Sequence, residues 1–286
     1  MRVTGRAVAT SATADEATGG TPGTGLVAPR LLACDLATVA QLETFTVAAI
    51  PARTSWELPG WWCVADDGGY VGRANSATAM PAGDEAQAPL RDVAASYRQR
   101  ALAPMVRWTP LAPAGLGQEA AQAGWVSAGE VVVLLSACQG DTAEPRNASV
   151  NSTTTSLLDA PDTGWAGVYL DANADGSGPA RLRLAAAAPE QRQFVKVEVD
   201  GATAAIGLGV VIGNVLGIFD VVTAPEFRRR GLGRQVVNTL KRWGAAQGAA
   251  TTFLQVHGGN AAALALYDSL GFFAGYTYVY LAPAAT

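Results

Sequence analysis

The segment Arg228–Arg234 contains the residues whose types and spacing most clearly suggest chemistry. It reads Arg-Arg-Arg-Gly-Leu-Gly-Arg, so four arginines surround Gly231 and Gly233. Glycine lets the backbone approach a ligand closely because it carries no side chain. Arginine binds phosphate oxygens through charge-assisted hydrogen bonds. The segment therefore predicts a binding site for a phosphate or pyrophosphate group.

The elements predicted around this segment place it where anions bind. Val215–Thr223 reads as a strand before it, and a helix follows it, because apolar residues then recur at helical spacing, at Val236, Val237, Leu240 and Trp243. The free N–H groups and the dipole at the start of a helix favour a phosphate. Other nucleotide motifs fit badly, since the segment has no Gly-Lys-Ser/Thr and lacks the third glycine of a dinucleotide fingerprint.

The other segments of the C-terminal half predict a mixed sheet. Gln193–Val199 and Ala202–Ile212 read as strands joined by the hairpin turn signal Asp200-Gly201. After the loop and its helix come a strand, a second helix and a last strand, at Thr252–Val256, Asn260–Leu270 and Tyr276–Leu281. A meander followed by strand–loop–helix–strand–helix–strand predicts an α/β protein (an α+β mixed sheet) with helices packed on the sheet.

Two motifs in this half resemble those of the GNAT superfamily of N-acetyltransferases. Arg228-x-x-Gly231-x-Gly233 is similar to the Gln/Arg-x-x-Gly-x-Gly/Ala signature of that superfamily. About 30 residues later, five residues match its pattern Asn-x-x-Ala-x-x-x-Tyr-x-x-x-Gly-Phe: Asn260, Ala263, Tyr267, Gly271 and Phe272. The motifs occur in the right order, and the resemblance covers roughly Ser156–Pro283.

The resemblance implies that acetyl-CoA is the acyl donor, and it implies a role for each motif. The strand end Val221-Val222-Thr223 should pair with the pantetheine arm as an added strand, and one of its N–H groups should polarise the thioester carbonyl. Asn260 should hold the cofactor arm, and Tyr267 should protonate the leaving thiolate as general acid. The loop should hold the pyrophosphate through Arg228, Arg229, Arg230, Gly231, Leu232, Gly233 and Arg234.

The residue that takes the proton from the acceptor amine stays open at this stage. Asp220 lies on the central strand and alternates with Val222, so it could face the cleft or a helix. His257, just past the next strand, is of a type that commonly transfers protons near neutral pH, and Glu198 is a weaker candidate. Tyr267 also has a simpler interpretation, as an aromatic residue of the core on one face of its helix.

The first half resembles a degenerate copy of the same fold. Gly124-Trp125 and Gly271-Phe272 each precede a predicted strand at an offset of 147 residues (271 − 124), and Val131–Leu134 then aligns with Tyr278–Leu281. The equivalent of the cofactor loop, around Gly83–Arg91, has no Arg-x-x-Gly-x-Gly. Such ordered similarity indicates a duplicated fold, and the whole chain resembles tandem-GNAT proteins, of which mycothiol synthase is one type.

Composition divides the chain at two places. Residues 1–25 are rich in Ala, Thr and Gly and read as a disordered tail, and the polar residues 140–155 predict a linker. Residues 26–139 are then the degenerate GNAT-like domain, and residues 156–286 the catalytic domain that binds acetyl-CoA. In the first domain, Trp61 or Arg73 could line an acceptor pocket between the halves, although core aromatics on a hairpin are the simpler interpretation of the tryptophans.

The bulk composition narrows the class of protein. The net charge of −4 gives no general attraction to nucleic acid or to an anionic membrane, and no apolar run approaches the roughly 18 residues that span a bilayer. The N-terminus lacks the apolar stretch of a secretory signal, so we expect a cytoplasmic protein. We expect no metal. The three cysteines, Cys34, Cys63 and Cys138, lie too far apart in sequence to match a zinc pattern, and His257 is the only histidine.

The sequence therefore predicts an acetyl-CoA-dependent N-acetyltransferase. Its acceptor is expected to be a primary amine of a small molecule or a peptide, which attacks the thioester directly. The alternative is a non-catalytic acyl-CoA-binding or regulatory module, which would keep Arg228–Arg234 but lack an acceptor cleft and a base.

Overall fold

A computed structural model describes residues 26–66, 72–81, 87–139 and 153–284 of the protein. The predicted tail, residues 1–25, and residues 140–152 of the predicted linker lie outside the described residues. The helices of the described part are α1 Leu36–Ala49, α2 Leu90–Arg98, α3 Leu116–Gln122, α4 Thr163–Ala172, α5 Gly178–Ala186, α6 Leu232–Ala246 and α7 Ala261–Asp268. Its strands are β1 Thr54–Leu58, β2 Trp61–Ala65, β3 Ala77–Ala79, β4 Val106–Trp108, β5 Trp125–Ala137, β6 Thr153–Leu158, β7 Arg192–Val199, β8 Ala202–Ile212, β9 Val215–Thr223, β10 Thr251–His257 and β11 Phe273–Pro283.

All these strands form one mixed sheet in the order β1-β2-β3-β4-β11-β5-β10-β9-β8-β7-β6. The pairs β3–β4 and β9–β10 are parallel, and the other neighbours are antiparallel. The last strand of the chain, β11, lies between β4 and β5, and β5 lies beside β10. The two halves of the chain thus exchange their final strands. The predicted fold class, an α/β protein with a mixed sheet, is confirmed.

The central strands follow the sequence pattern closely. β8 and β9 have the predicted bounds, and the turn that precedes β8 places both Asp200 (φ 51°) and Gly201 (φ 83°) in the left-handed region. Two consecutive residues with positive φ are typical of the tight hairpin turns that match strand twist. The meander β7–β8–β9 is therefore specified locally by its turns.

Helices cover both faces of the sheet. Alternate residues of each strand point to opposite faces, so Phe194 and Phe253 pack with α1, α4 and α5, whereas their neighbours Val195 and Leu254 pack with α6 and α7. Each of these four side chains is at most 2% exposed. The sheet therefore forms the middle layer between two layers of helices.

Several elements differ from the sequence prediction. Thr153–Thr155, assigned to the linker, form the start of the edge strand β6 and pair with β7, from Thr153 opposite Val199. The polar composition suggested a linker, but β-branched threonines suit an edge strand. Helices α1, α4 and α5 were not predicted; the apolar residues of α4 and α5 are mixed with small and polar ones rather than gathered on one stripe.

The two halves share local geometry at the positions aligned by the offset of 147. Gly124 (φ 70°) follows α3 and Gly271 (φ 76°) follows α7, both in the left-handed conformation that ends a helix. The strands after them, β5 and β11, are antiparallel neighbours in which Val131 lies opposite Tyr278. The aligned residues therefore occupy corresponding places in the two halves.

Candidate active site

The parallel strands β9 and β10 separate in the middle of the sheet. They are paired from Val215 opposite Thr251 to Ile218 opposite Leu254, and no pairing follows although both strands continue. Beyond this point β9 stays paired with β8, where Val222 lies opposite Ile206. The edge of residues 219–223 that faces β10 therefore borders a gap, into which an extended ligand could add main-chain hydrogen bonds.

A β-bulge places Asp220 at the start of this gap. Leu208 lies opposite Phe219, whereas Ile206 lies opposite Val222, so β9 has one more residue than β8 between these pairs. Asp220 has φ 54°, an uncommon conformation that Asp tolerates better than most residues. Bulges of this kind re-aim side chains and are common beside active sites.

The predicted cofactor loop joins β9 to α6. A 3-10 turn at Pro225–Phe227 follows β9, and Gly231, with φ 80°, is the N-cap of α6. The amide of Gln235 donates to the carbonyl of Gly231 at 3.1 Å and opens the hydrogen-bond ladder of the helix. The N–H groups before Gln235 are left without helical partners, as at every helix start. They point out of the N-terminus, where the dipole favours an anion.

The arginines of the loop stabilise its shape. Arg228 Nε donates to the carbonyl of Thr223 at 3.3 Å, and Arg230 donates to the carbonyl of Glu226 at 3.2 Å. Arg228 and Arg230 remain exposed. Their positive charge lies beside the start of α6, so they can add to the attraction of a pyrophosphate while holding the loop.

Helix α7 packs against the start of α6. Arg234 donates to Ser269 Oγ at 2.6 Å and to the Ser269 carbonyl at 3.3 Å, and thereby links the two helices. A Cβ on Gly233 would lie 3.3 Å from Leu266 Cδ2. Close packing of the helices is therefore one physical reason for glycine at 233, in addition to the approach of a ligand predicted from the sequence.

Asn260 and Tyr267 are both held by α7. Asn260 is the N-cap, and its Oδ1 accepts a hydrogen bond from the Ala263 amide at 3.0 Å. Tyr267 is 8% exposed and packs edge-on against Phe272, with ring centroids 5.7 Å apart. Burial raises the pKa of Tyr267 to about 12. The phenol thus stays protonated at neutral pH, as a proton or hydrogen-bond donor must.

A narrow pocket opens beside the bulge on the opposite layer from α7. Its polar lining is Asp220 from β9, Arg73 from the first half, and Tyr169 and Arg181 from α4 and α5; Ile50, Leu184 and Ala185 complete it. Burial raises the pKa of Asp220, while Arg73, Arg181 and a hydrogen bond from Tyr169 act in the opposite direction. A carboxyl with a raised pKa is a better proton acceptor at neutral pH than an ordinary one.

A family profile described as "Probable histone acetyltransferase Rv0428c C-terminal" matches residues 36–281. The uncharacterized N-acetyltransferase YobR of Bacillus subtilis is 26% identical over 82% of this chain and 94% of its own length. The chain belongs to the GNAT family of N-acetyltransferases. The ribosomal protein bS18 alanine N-acetyltransferase of Salmonella typhimurium is 38% identical, over 27% of this N-acetyltransferase and about half (53%) of the relative.

Solved structures show that this N-acetyltransferase has a tandem-GNAT fold. A GCN5-related N-acetyltransferase from Kribbella flavida matches with a TM-score of 0.59 and 17% identity, over 87% of this chain and 95% of that one. A tandem GNAT protein from the clavulanic acid biosynthesis pathway matches with a TM-score of 0.52 and 14% identity, over 90% and 99% of the two chains. Each helix in the described ranges is too short or too polar to span a lipid bilayer.

The other sequence candidates lie in less suitable surroundings. His257 ends β10, where its Nδ1 accepts from the Gly259 amide at 3.2 Å. Glu198 is occupied by an ion pair with Lys196 at 3.2 Å. Trp61 is 2% exposed and donates from its indole to the Ala88 carbonyl at 2.8 Å, so it is a core residue, as in the simpler interpretation.

Two pocket residues of this N-acetyltransferase were not found from the sequence. Tyr169 and Arg181 belong to α4 and α5, the helices without a clear apolar stripe, and no motif marks them. The sequence offers one local signal: Ser177 and Pro179 are residue types that are common at the start of a helix, and they lie just before Arg181. Recognising α5 in this way would have placed Arg181 on a helix, but not beside Asp220.

Proposed function

We propose that this N-acetyltransferase transfers the acetyl group of acetyl-CoA directly to a primary amine of a small molecule or a peptide. One observation carries the proposal: the gap between β9 and β10 has the glycine loop at one side and the Asp220 pocket at the other. A thioester in the gap would then lie between a cofactor site and a proton acceptor. The non-catalytic alternative predicted neither a pocket nor a base, so the pocket argues against it.

The cofactor would lie along the end of β9 and the start of α6. The amides of the Arg228–Arg234 loop would bind the pyrophosphate, and the unpaired edge of Val221–Thr223 would pair with the pantetheine arm. Asn260 Oδ1 already caps α7, so its Nδ2 group would donate to the arm. One asparagine would then both cap the helix and bind the cofactor, which gives a physical reason for asparagine at this position of the family pattern.

The amine would attack from the Asp220 side. Asp220 would take the proton released as the C–N bond forms, and an N–H of the Val221–Thr223 edge would stabilise the negative oxygen of the tetrahedral intermediate. When the C–S bond breaks, the Tyr267 phenol would donate a hydrogen bond to the sulfur from the layer of helices that contains α7. A phenol with a pKa near 12 holds its proton more tightly than a thiol of about 8.5, so it acts first as a hydrogen-bond donor to the developing charge.

We expect one acetyl-CoA per chain. The loop with Gly231 and Gly233 occurs in the second half only, because the first half has no Arg-x-x-Gly-x-Gly. Isothermal titration of the whole protein should give a single site. Two equivalent sites per chain would contradict the proposed difference between the halves.

Asp220→Asn should lower kcat/KM for the amine by about 10²-fold, the lower end of a general-base contribution. Asparagine keeps the shape of the side chain and tolerates the left-handed backbone, so the bulge should persist. His257→Gln is the matched test of the other candidate and should leave kcat/KM within a few-fold of wild type. Initial rates with acetyl-CoA, read as released thiol, measure both variants. If His257→Gln shows the large loss and Asp220→Asn does not, the base is His257.

A further inference from the structure

The first half of the chain carries a short turn at Gly72–Ser76 whose shape is fixed by hydrogen bonds. The amide of Asn75 donates to the Gly72 carbonyl across the turn at 2.9 Å. The Asn75 side chain accepts a hydrogen bond at 2.8 Å from the amide of Asp66, just after β2. The turn is therefore held against the end of β2, and it presents Arg73 in a defined direction.

Arg73 extends from this turn to the bulge of β9, in the second half. Its guanidinium stacks on the ring of Phe219, with Cζ 5.0 Å from the ring centroid. Phe219 directly precedes Asp220, and Arg73 and Asp220 line the same pocket. A cation over the face of an aromatic ring is attracted by it, so the stacking holds the guanidinium at the pocket that contains the carboxyl.

A second contact joins the same part of the first half to another wall of the pocket. Asp66, whose side chain is fully buried, pairs with Arg183 of α5. Arg183 lies two residues after Arg181, which lines the pocket. The turn and the residue to which it is bonded thus contact both β9 and α5, the elements that carry Asp220 and Arg181.

The charged and polar groups that face Asp220 come from three elements of the fold. Burial raises the pKa of Asp220, and the charge of Arg73 is the largest effect that lowers it. Arg181 of α5 and a hydrogen bond from Tyr169 of α4 act in the same direction as Arg73. Asp175 also interacts with Arg181, so that arginine is shared between two carboxylates.

We propose that Arg73 is a positioning residue for the acetyl transfer, through which the first half orients and stabilises the Asp220 carboxylate at the bulge. This deepens the proposed function and rests on it, because Asp220 is the proton acceptor there. A carboxyl must be ionised to accept a proton, and Asp220 lies in a left-handed conformation, with φ 54°, that few residues adopt. The half without a cofactor loop thus contributes to catalysis as well as to the fold.

A ligand-free test measures whether Arg73 and Asp220 act on each other. Wild type, Arg73→Met, Asp220→Asn and the double variant are unfolded in urea at neutral pH. Methionine keeps an apolar side chain against Phe219 and removes the charge. Arg73→Met should lower the urea midpoint less in the Asp220→Asn background than in wild type, because the double-mutant cycle isolates the pairwise interaction. Shifts of the midpoint that simply add would overturn the proposal.

The pH dependence of kcat separates positioning from support of the fold. It reports ionisations in the complex of enzyme and substrates, and every variant is assayed with saturating acetyl-CoA and the primary amine that reacts fastest with wild type. Without the charge of Arg73, the Asp220 carboxyl needs a higher pH to ionise. The acidic limb of the Arg73→Met profile should therefore move to higher pH, with the lost rate regained on the alkaline side. Arg73→Lys keeps the charge and should return the limb toward its wild-type position.

Arg100→Met is the matched control. Arg100 belongs to the same half and also stacks on an aromatic ring, with its Cζ 4.3 Å from the centroid of Trp56. Trp56 lies on β1, an edge strand of the sheet, so this variant should keep the acidic limb of wild type. If Arg73→Met loses the same fraction of kcat at every pH, Arg73 supports the fold alone and the proposal is wrong.

The two measurements also separate this proposal from the function on which it rests. Coupling between Arg73 and Asp220 in a protein that acetylates no amine would support their pairing and contradict the proposed transfer. If Asp220→Asn lowers turnover as expected, while Arg73→Met shows neither the coupling nor the shifted limb, the transfer stands and the role of Arg73 is contradicted.

Discussion

Gly233→Asp should lower the affinity for acetyl-CoA by about 10³-fold and leave the protein folded. Gly233 lies in the first turn of α6, where the proposed pyrophosphate binds, and a carboxylate there would repel it. Two unit charges about 4 Å apart repel by about 4 kcal/mol at the effective dielectric of a protein surface. Without ligand, an acidic residue in the first turn favours the helix, and this offsets part of the crowding against Leu266.

Gly233→Asn is the matched control for this prediction. It has the same shape and the same contact with Leu266, 3.3 Å from the added Cβ, but no charge. Its affinity for acetyl-CoA should therefore fall much less than that of Gly233→Asp. Titration calorimetry and melting temperature on the same preparations measure both effects. If the folded Asp variant binds acetyl-CoA as wild type does, the pyrophosphate does not lie at this loop.

Tyr267→Phe should lower kcat by about 10²- to 10⁴-fold, the usual size of a general-acid contribution. The ring and its packing on Phe272 are kept, and only the donor to the leaving sulfur is lost. Affinity for acetyl-CoA should change little, because the loop and the β9 edge supply most of the binding. Stability should also change little, since burial is the one effect that shifts the pKa of this phenol and no described group hydrogen-bonds to it.

Tyr97→Phe gives the opposite pattern and serves as the control. Tyr97 is 1% exposed and donates to the Val64 carbonyl at 3.0 Å, in the first half. Its loss should cost about 1 kcal/mol of stability and leave kcat unchanged. If Tyr267→Phe behaves like Tyr97→Phe, losing stability but not turnover, then Tyr267 is a core aromatic and the acid is another group.

The local parts of the fold could be predicted from the sequence. β8 and β9 have the predicted bounds, and the turn at Asp200-Gly201 sets where β8 starts. The place of Arg228–Arg234 between a strand and a helix could also be predicted, because the apolar residues on either side of it recur at strand and helix spacing. Both features depend on residues close to one another in the chain.

The pocket beside the bulge could not be predicted in the same way. It brings together Arg73, Arg181 and Asp220 from three distant segments, and only the sheet order makes them neighbours. That order depends on β5 and β11 crossing between the halves, a non-local event without a short motif. Asp220 was a candidate base, but its direction depends on a bulge that the regular alternation of β9 does not reveal.

The exchange of final strands also constrains when the protein can fold during its synthesis. β11 lies between β4 and β5, so the central pairings of the first half await residues 273–283, which are synthesised long after β4 and β5. Domains that form their own sheets can fold in turn as they emerge. In this chain, one edge of β4 stays unpaired until β11 has been synthesised. The open edge of β4 in a nascent chain can therefore pair with a wrong strand for longer than in a protein of the same length whose domains each complete their own sheet.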